Sequence, residues 1–100
     1  MPSVKLPSGN MRRFRNAVGP QIRKLRTQKK LSQDAFASKL QLAGLELDRI
    51  SVAKIEMQIR SVFDYELSVI ADVLEVATDD LRLPRIQLQN ILPALIAGKK

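Results

Sequence analysis

A chain of 100 residues without a single His or Cys has little covalent chemistry open to it. The usual zinc sites, thiol nucleophiles, Ser-His-Asp triads and redox disulfides all need one or the other. Ser, Lys, Asp and Glu are present, but no pair stands at a spacing that makes an activated nucleophile or a carboxylate dyad. No enzyme, cofactor, metal or small-molecule substrate is therefore expected. What remains is charge. Residues 1–30 hold nine basic side chains (Lys5, Arg12, Arg13, Arg15, Arg23, Lys24, Arg26, Lys29, Lys30) and no acidic one. Residues 1–60 hold 13 basic against 4 acidic, and residues 61–100 hold 4 against 6, which leaves +7 overall. A basic half joined to a mildly acidic half implies one face for a polyanion and another for solvent or a partner. A basic, solvated helix surface is the plain alternative.

Something must position those charges. Apolar residues make up 45% of the chain, enough for a core, while aromatics are only 4% and Trp is absent. The core is expected to be aliphatic, and base stacking of the single-stranded kind has few rings to use. The longest apolar run, Ile91 to Ala97, contains Pro93, and a bilayer span needs about 20 residues. The start, Met1-Pro2-Ser3-Val4-Lys5, has no apolar signal core, so a cytoplasmic protein is expected.

Residues 1–17 read as a flexible basic arm. A first helix is expected from Val18-Gly19-Pro20, where Pro suits the first turn, with Ile22 and Leu25 inward. A second begins at Leu31-Ser32-Gln33-Asp34, with Ser32 as its cap, and buries Ala35, Phe36 and Leu40. Gln41 to Glu46, with Gly44, reads as a turn. A third helix runs from Leu47 or Asp48 to Met57, burying Val52 and Ile55. A fourth starts near Asp64, with Leu67, Ile70, Ala71 and Leu74 at i, i+3, i+4, i+7. A short fifth follows at Thr78-Asp79-Asp80-Leu81, ending at Pro84. Residues 84–100 form an apolar extension, one more irregular helix weakened by Pro93. No strand period or repeat is visible.

In this order, Ile22-Arg23-Lys24-Leu25-Arg26, Leu31-Ser32-Gln33-Asp34-Ala35-Phe36-Ala37 with Leu40, Ser51-Val52-Ala53-Lys54-Ile55-Glu56, Leu67 through Ile70-Ala71 to Leu74, and Thr78-Asp79-Asp80-Leu81 form one pattern. It resembles the lambda-repressor-like (Cro/XRE-type) helix-turn-helix family over about residues 18–82. The fold class expected is all-α: a five-helix lambda-repressor-like bundle over 18–83, with the basic N-terminal arm and the apolar C-terminal extension.

The resemblance implies double-stranded DNA binding with the third helix in the major groove. Helical geometry adds that, if Val52 and Ile55 face the core, Arg49, Ile50, Ala53, Lys54 and Met57 turn outward. Arg49 and Lys54 then supply donors for guanine O6 and N7 or for phosphates, and Ile50 and Ala53 contact a thymine methyl or fill space. Ordinary solvated charges, and an Ile50 turned to packing by a shift of register, are the alternatives. By resemblance, Gln33 contacts a phosphate at the start of the second helix, and Arg60 contacts one from the loop after the third. Arg26 and Glu56 occupy the places of a partly buried ion pair. Arg12, Arg13 and Arg15 are candidates for a minor-groove arm, or else belong to a solubilising tail.

Two departures stand out. Gln58 replaces the Gly that commonly ends the third helix in a left-handed turn, and the turn between helices two and three is about five residues longer than the short family form. The function expected is a sequence-specific transcriptional regulator, a repressor acting as a homodimer. The apolar 85–97 stretch serves either as its contact or as packing onto the monomer's own core. The alternative is a protein-interaction module, of antitoxin or regulator type, on the same fold.

Overall fold

Helices begin where the chain can satisfy their first N–H groups, and the computed structural model, which describes residues 13–98, shows how each start is made. The first helix, α1 (Gly19–Gln28), has Pro20 in its first turn, and the Gly19 N–H donates to Asn16 Oδ1 at 2.8 Å. Helix α2 (Gln33–Leu42) is capped by Ser32, whose Oγ accepts from the Ala35 N–H at 3.0 Å. Helix α3 (Arg49–Glu56) is capped by Asp48, whose Oδ1 accepts from the Ser51 N–H at 2.8 Å. That bond, joined by the Ser51 side chain, holds the Asp48 carboxyl below the usual carboxylate range. In α4 (Asp64–Leu74), Glu66 reaches back to accept from the Phe63 N–H at 3.0 Å. A 3-10 turn at Thr78–Leu81 and a last helix, α5 (Arg85–Gly98), complete the order. No strand occurs among the described residues.

The core is aliphatic around one ring. Ile22, Phe36, Leu40, Val52, Ile55, Ile70, Leu74 and Leu81 are the largest fully buried side chains. They come from α1, α2, α3, α4 and the 3-10 turn, so every element of the bundle contributes to one cluster. Gly19 lets α1 lie directly on the end of α3: a Cβ there would run into the Ile55 carbonyl oxygen.

The longer turn is firmly built. Helix α2 continues two residues past Leu40, correcting the expected turn start at Gln41. Gly44 then takes a φ of +95°, and Leu45 and Leu47 drop back into the core. The Leu45 N–H donates to the Leu40 carbonyl at 2.9 Å, and Gln41 Nε2 donates to the Leu47 carbonyl at 3.0 Å. Two buried leucines thus pin the extra residues, and α3 begins at Arg49 with Asp48 as its cap, beside the expected start at Leu47 or Asp48.

Pro93 does not break α5, which runs for 14 residues through it. A proline removes one intrahelical donor, while Ala94 beside it is buried and its carbonyl accepts from the Phe14 N–H at 3.0 Å. Gly98 lies against the Phe14 backbone, where a side chain would not fit. No helix among the described residues is long and apolar enough to cross a membrane.

Candidate nucleic-acid interface

With Val52, Ile55 and Glu56 buried, the rotation of α3 is set. Arg49, Ile50, Lys54 and Met57 are exposed and Ala53 is half-buried. At about 100° per residue, these five positions span roughly 140° of the helix circumference. The outward stripe is thus the one the spacing predicts, with Ile50 at 55% exposure and therefore not a core residue. Lys54 makes no ion pair among the described residues, whereas Arg49 Nε lies 3.5 Å from Asp34 Oδ1 in the first turn of α2.

Behind the stripe, Arg26 and Glu56 form a buried, two-pronged pair. Arg26 Nε donates to Glu56 Oε2 at 2.6 Å and Nη2 to Oε1 at 3.0 Å, while Nη1 donates to the Leu31 carbonyl at 2.7 Å. This network ties α1 to the end of α3. Gln33 joins it: Nε2 donates to Glu56 Oε1 at 3.1 Å. An amide nitrogen carries two hydrogens, so Gln33, at the start of α2, keeps one N–H that the Glu56 bond does not use.

Arg60, expected as a phosphate contact, has partners within the fold. Its Nη1 and Nη2 donate to Glu66 Oε1 and Oε2 at 3.1 and 3.0 Å, and Nη1 also donates to the Ser61 carbonyl at 2.9 Å. Glu66 is buried in α4. Burial on its own would raise that carboxyl's pKa, but the Arg60 hydrogen bonds, the Phe63 N–H and the Arg60 charge together bring it below its ordinary value. Arg60 is correspondingly raised, chiefly by its bonds to Glu66. The guanidinium neutralises an internal acid, and leaving it would strand a buried charge.

The expected arm is also fastened at its inner end. The Arg15 N–H donates to the Gln58 carbonyl at 2.8 Å, and Asn16 Nδ2 donates to the Ile55 and Arg60 carbonyls at 3.0 and 2.8 Å. Arg13 and Arg15 keep exposed side chains, while Arg12 lies outside the described residues. Gln58 does adopt the left-handed turn usually given to Gly, at φ +65°. Its Nε2 donates to the Asn16 carbonyl at 3.1 Å, a bond glycine could not make.

Sequence reasoning missed Arg23. It is exposed on α1 and lines a hollow with Gln33, Ala53 and Met57, against the stripe. The signal was available in the acid-free basic run of residues 1–30; its proximity to α3 was not. The approach of Asp34, in the first turn of α2, to Arg49 depends on how α2 and α3 meet.

A helix-turn-helix with an exposed cationic stripe on the second of its two helices defines the class. No protein-family model matches the chain, and no curated protein matches it. Solved structures do. The restriction-modification controller protein C.AhdI from Aeromonas hydrophila is 33% identical, aligned over 64% of this chain and 86% of that one, with a TM-score of 0.56. The hypothetical transcription factor NHTF from Neisseria is 25% identical over 85% of this chain and 94% of that one, with a TM-score of 0.61. The DNA-binding domain of BldD, at 24% identity, shares the fold over 70% of this chain and 94% of its own, with a TM-score of 0.59. The chain belongs to the lambda-repressor-like, Cro/XRE-type helix-turn-helix family.

Proposed function

We propose that this protein is a sequence-specific double-stranded DNA-binding transcriptional regulator, a repressor that acts as a homodimer. The observation that carries the reading is the rotation of α3: its aliphatic side is locked in the core while Arg49, Ile50, Ala53, Lys54 and Met57 face out. In the major groove, Arg49 and Lys54 donate to guanine edges or phosphates, and Ile50 and Ala53 meet thymine methyls. The remaining N–H of Gln33 and the guanidinium of Arg23 contact phosphates beside the groove. Arg13 and Arg15, with Arg12 before them, reach for the minor groove, where a narrow, negative channel favours Arg. The likeness to a restriction-modification controller and to a transcription factor supports a regulatory role.

One helix of eight residues offers few base contacts, which argues for two copies on a two-fold site with half-sites about 34–36 Å apart. Ile86, Leu92 and Ile96 are exposed on α5 and supply the apolar contact between copies. The experiment is selection of bound duplexes from a random pool, followed by a salt titration. A protein touching about 4–8 phosphates per copy loses affinity steeply with salt.

One observation favours a second reading, a module that binds another protein. Phe63 and Tyr65 are exposed and stacked at 5.7 Å. Absence of duplex binding even at low salt selects that reading.

A further inference from the structure

We infer that Asp34 is a positioning residue for Arg49, fixing which edge of the guanidinium faces a duplex; this rests on the DNA-reading proposal above. Asp34 stands in the first turn of α2 and Arg49 opens α3, so the pair spans the two helices of the motif. Arg49 Nε lies 3.5 Å from Asp34 Oδ1. With its Nε side toward Asp34, a planar guanidinium leaves its Nη1 and Nη2 edge directed away from the carboxylate. Those are the two donors that read guanine O6 and N7 together. Both side chains are largely open to water, at 55% and 79%, over a shallow depression lined also by Ala37, Ser38, Gln41, Asp48 and Ile50. Asp34 is the one ion-pair partner of Arg49 among the described residues. Without Asp34 the guanidinium sweeps between base edge and phosphate.

A carboxylate on this face also repels phosphate oxygens, so Asp34 weakens binding to DNA of any sequence while it sharpens the choice of base. Loss of preference together with a gain in indiscriminate affinity is a combination that a purely structural residue does not produce.

The test uses the full chain and a duplex obtained by selection from a random pool, with single base-pair variants of it and one unrelated duplex. Asp34→Asn is expected to lower the preference at the base pair read by Arg49 about two- to fivefold, the size of an exposed charge-pair coupling. The same variant should bind the unrelated duplex more tightly than the wild type does. Asp34→Glu, which keeps the charge, should retain most of the preference. In an Arg49→Ala background, Asp34→Asn should leave the preference unaltered. An equal loss in both backgrounds would mean that Asp34 reads a base itself, and it overturns the inference; so does an unchanged preference in Asp34→Asn alone. Failure of the wild type to bind any duplex at low salt overturns the DNA reading itself, before the variants are compared.

Discussion

Arg26 Nε and Glu56 Oε2 stand 2.6 Å apart with both side chains almost wholly out of water. The pair joins α1 to the end of α3, so it fixes the angle at which the outward stripe is presented. Glu56 is spent inward, on Arg26 and Gln33, and does not add a negative charge to the outward stripe of α3. Removing either partner leaves a buried charge. Arg26→Ala and Glu56→Ala are each expected to lose about 3–5 kcal/mol of stability in chemical denaturation. An apolar pair of similar volume at both positions should recover most of that loss. Single variants as stable as the wild type would show the pair to be ornamental.

Arg49 and Lys54 make the opposite case. They are exposed, and their replacement by Ala should change stability by no more than about 0.5 kcal/mol each. Each good base contact contributes about 1–3 kcal/mol of discrimination. The Arg49→Ala/Lys54→Ala double variant should therefore fold normally by circular dichroism and lose its preference for the selected duplex. Retention of the same preference contradicts the assignment of α3 as the reading helix.

Asn16 closes the junction between the N-terminal segment, α1 and α3. It donates to the Ile55 and Arg60 carbonyls and accepts from the Gly19 N–H. Asn16→Ala unpairs buried groups, each costing about 1–3 kcal/mol. Gln58→Ala removes one hydrogen bond and retains the left-handed backbone, for a loss of about 1 kcal/mol. Gln58→Gly removes the same bond but relieves roughly 1–2 kcal/mol of left-handed strain, so it should lie near the wild type. Thermal midpoints of the three variants check the order: Asn16→Ala lowest, Gln58→Gly highest.

Glu66 sets a pH dependence. Its carboxyl is lowered in the folded protein, with burial opposing and the Arg60 and Phe63 hydrogen bonds prevailing. A carboxylate lowered on folding contributes stability above its unfolded pKa of about 4.3 and loses it as pH falls through the folded value. Asp48 and Glu75 are lowered as well, by the Ser51 hydrogen bonds and by Lys29, and they act in the same direction. Acid unfolding should thus steepen below about pH 4.3. Arg60→Ala should move it to higher pH, as followed by circular dichroism, while leaving the salt dependence of DNA binding unaltered. A shallower salt slope in Arg60→Ala would return Arg60 to the interface.

The sequence alone determined what is local. The absence of His and Cys narrows the chemistry without any coordinates, and the cap at Ser32 rests on a side chain that acts within three residues. The outward stripe follows from a period of 3.6, because burying Val52 and Ile55 leaves no other face for Arg49 and Lys54. Tertiary structure decided whatever depends on chain segments returning to one another. Asn16 finds its acceptors 39 and 44 residues away, a separation no periodicity encodes. Arg60 has the composition and position of a phosphate contact, but a buried carboxylate on α4 takes both ends of its guanidinium. The long turn is ordered because Leu45 and Leu47 reach a core that exists only once α2, α3 and α4 meet. A side chain's type states what it can bind; only the packed neighbours determine whether that capacity has already been used.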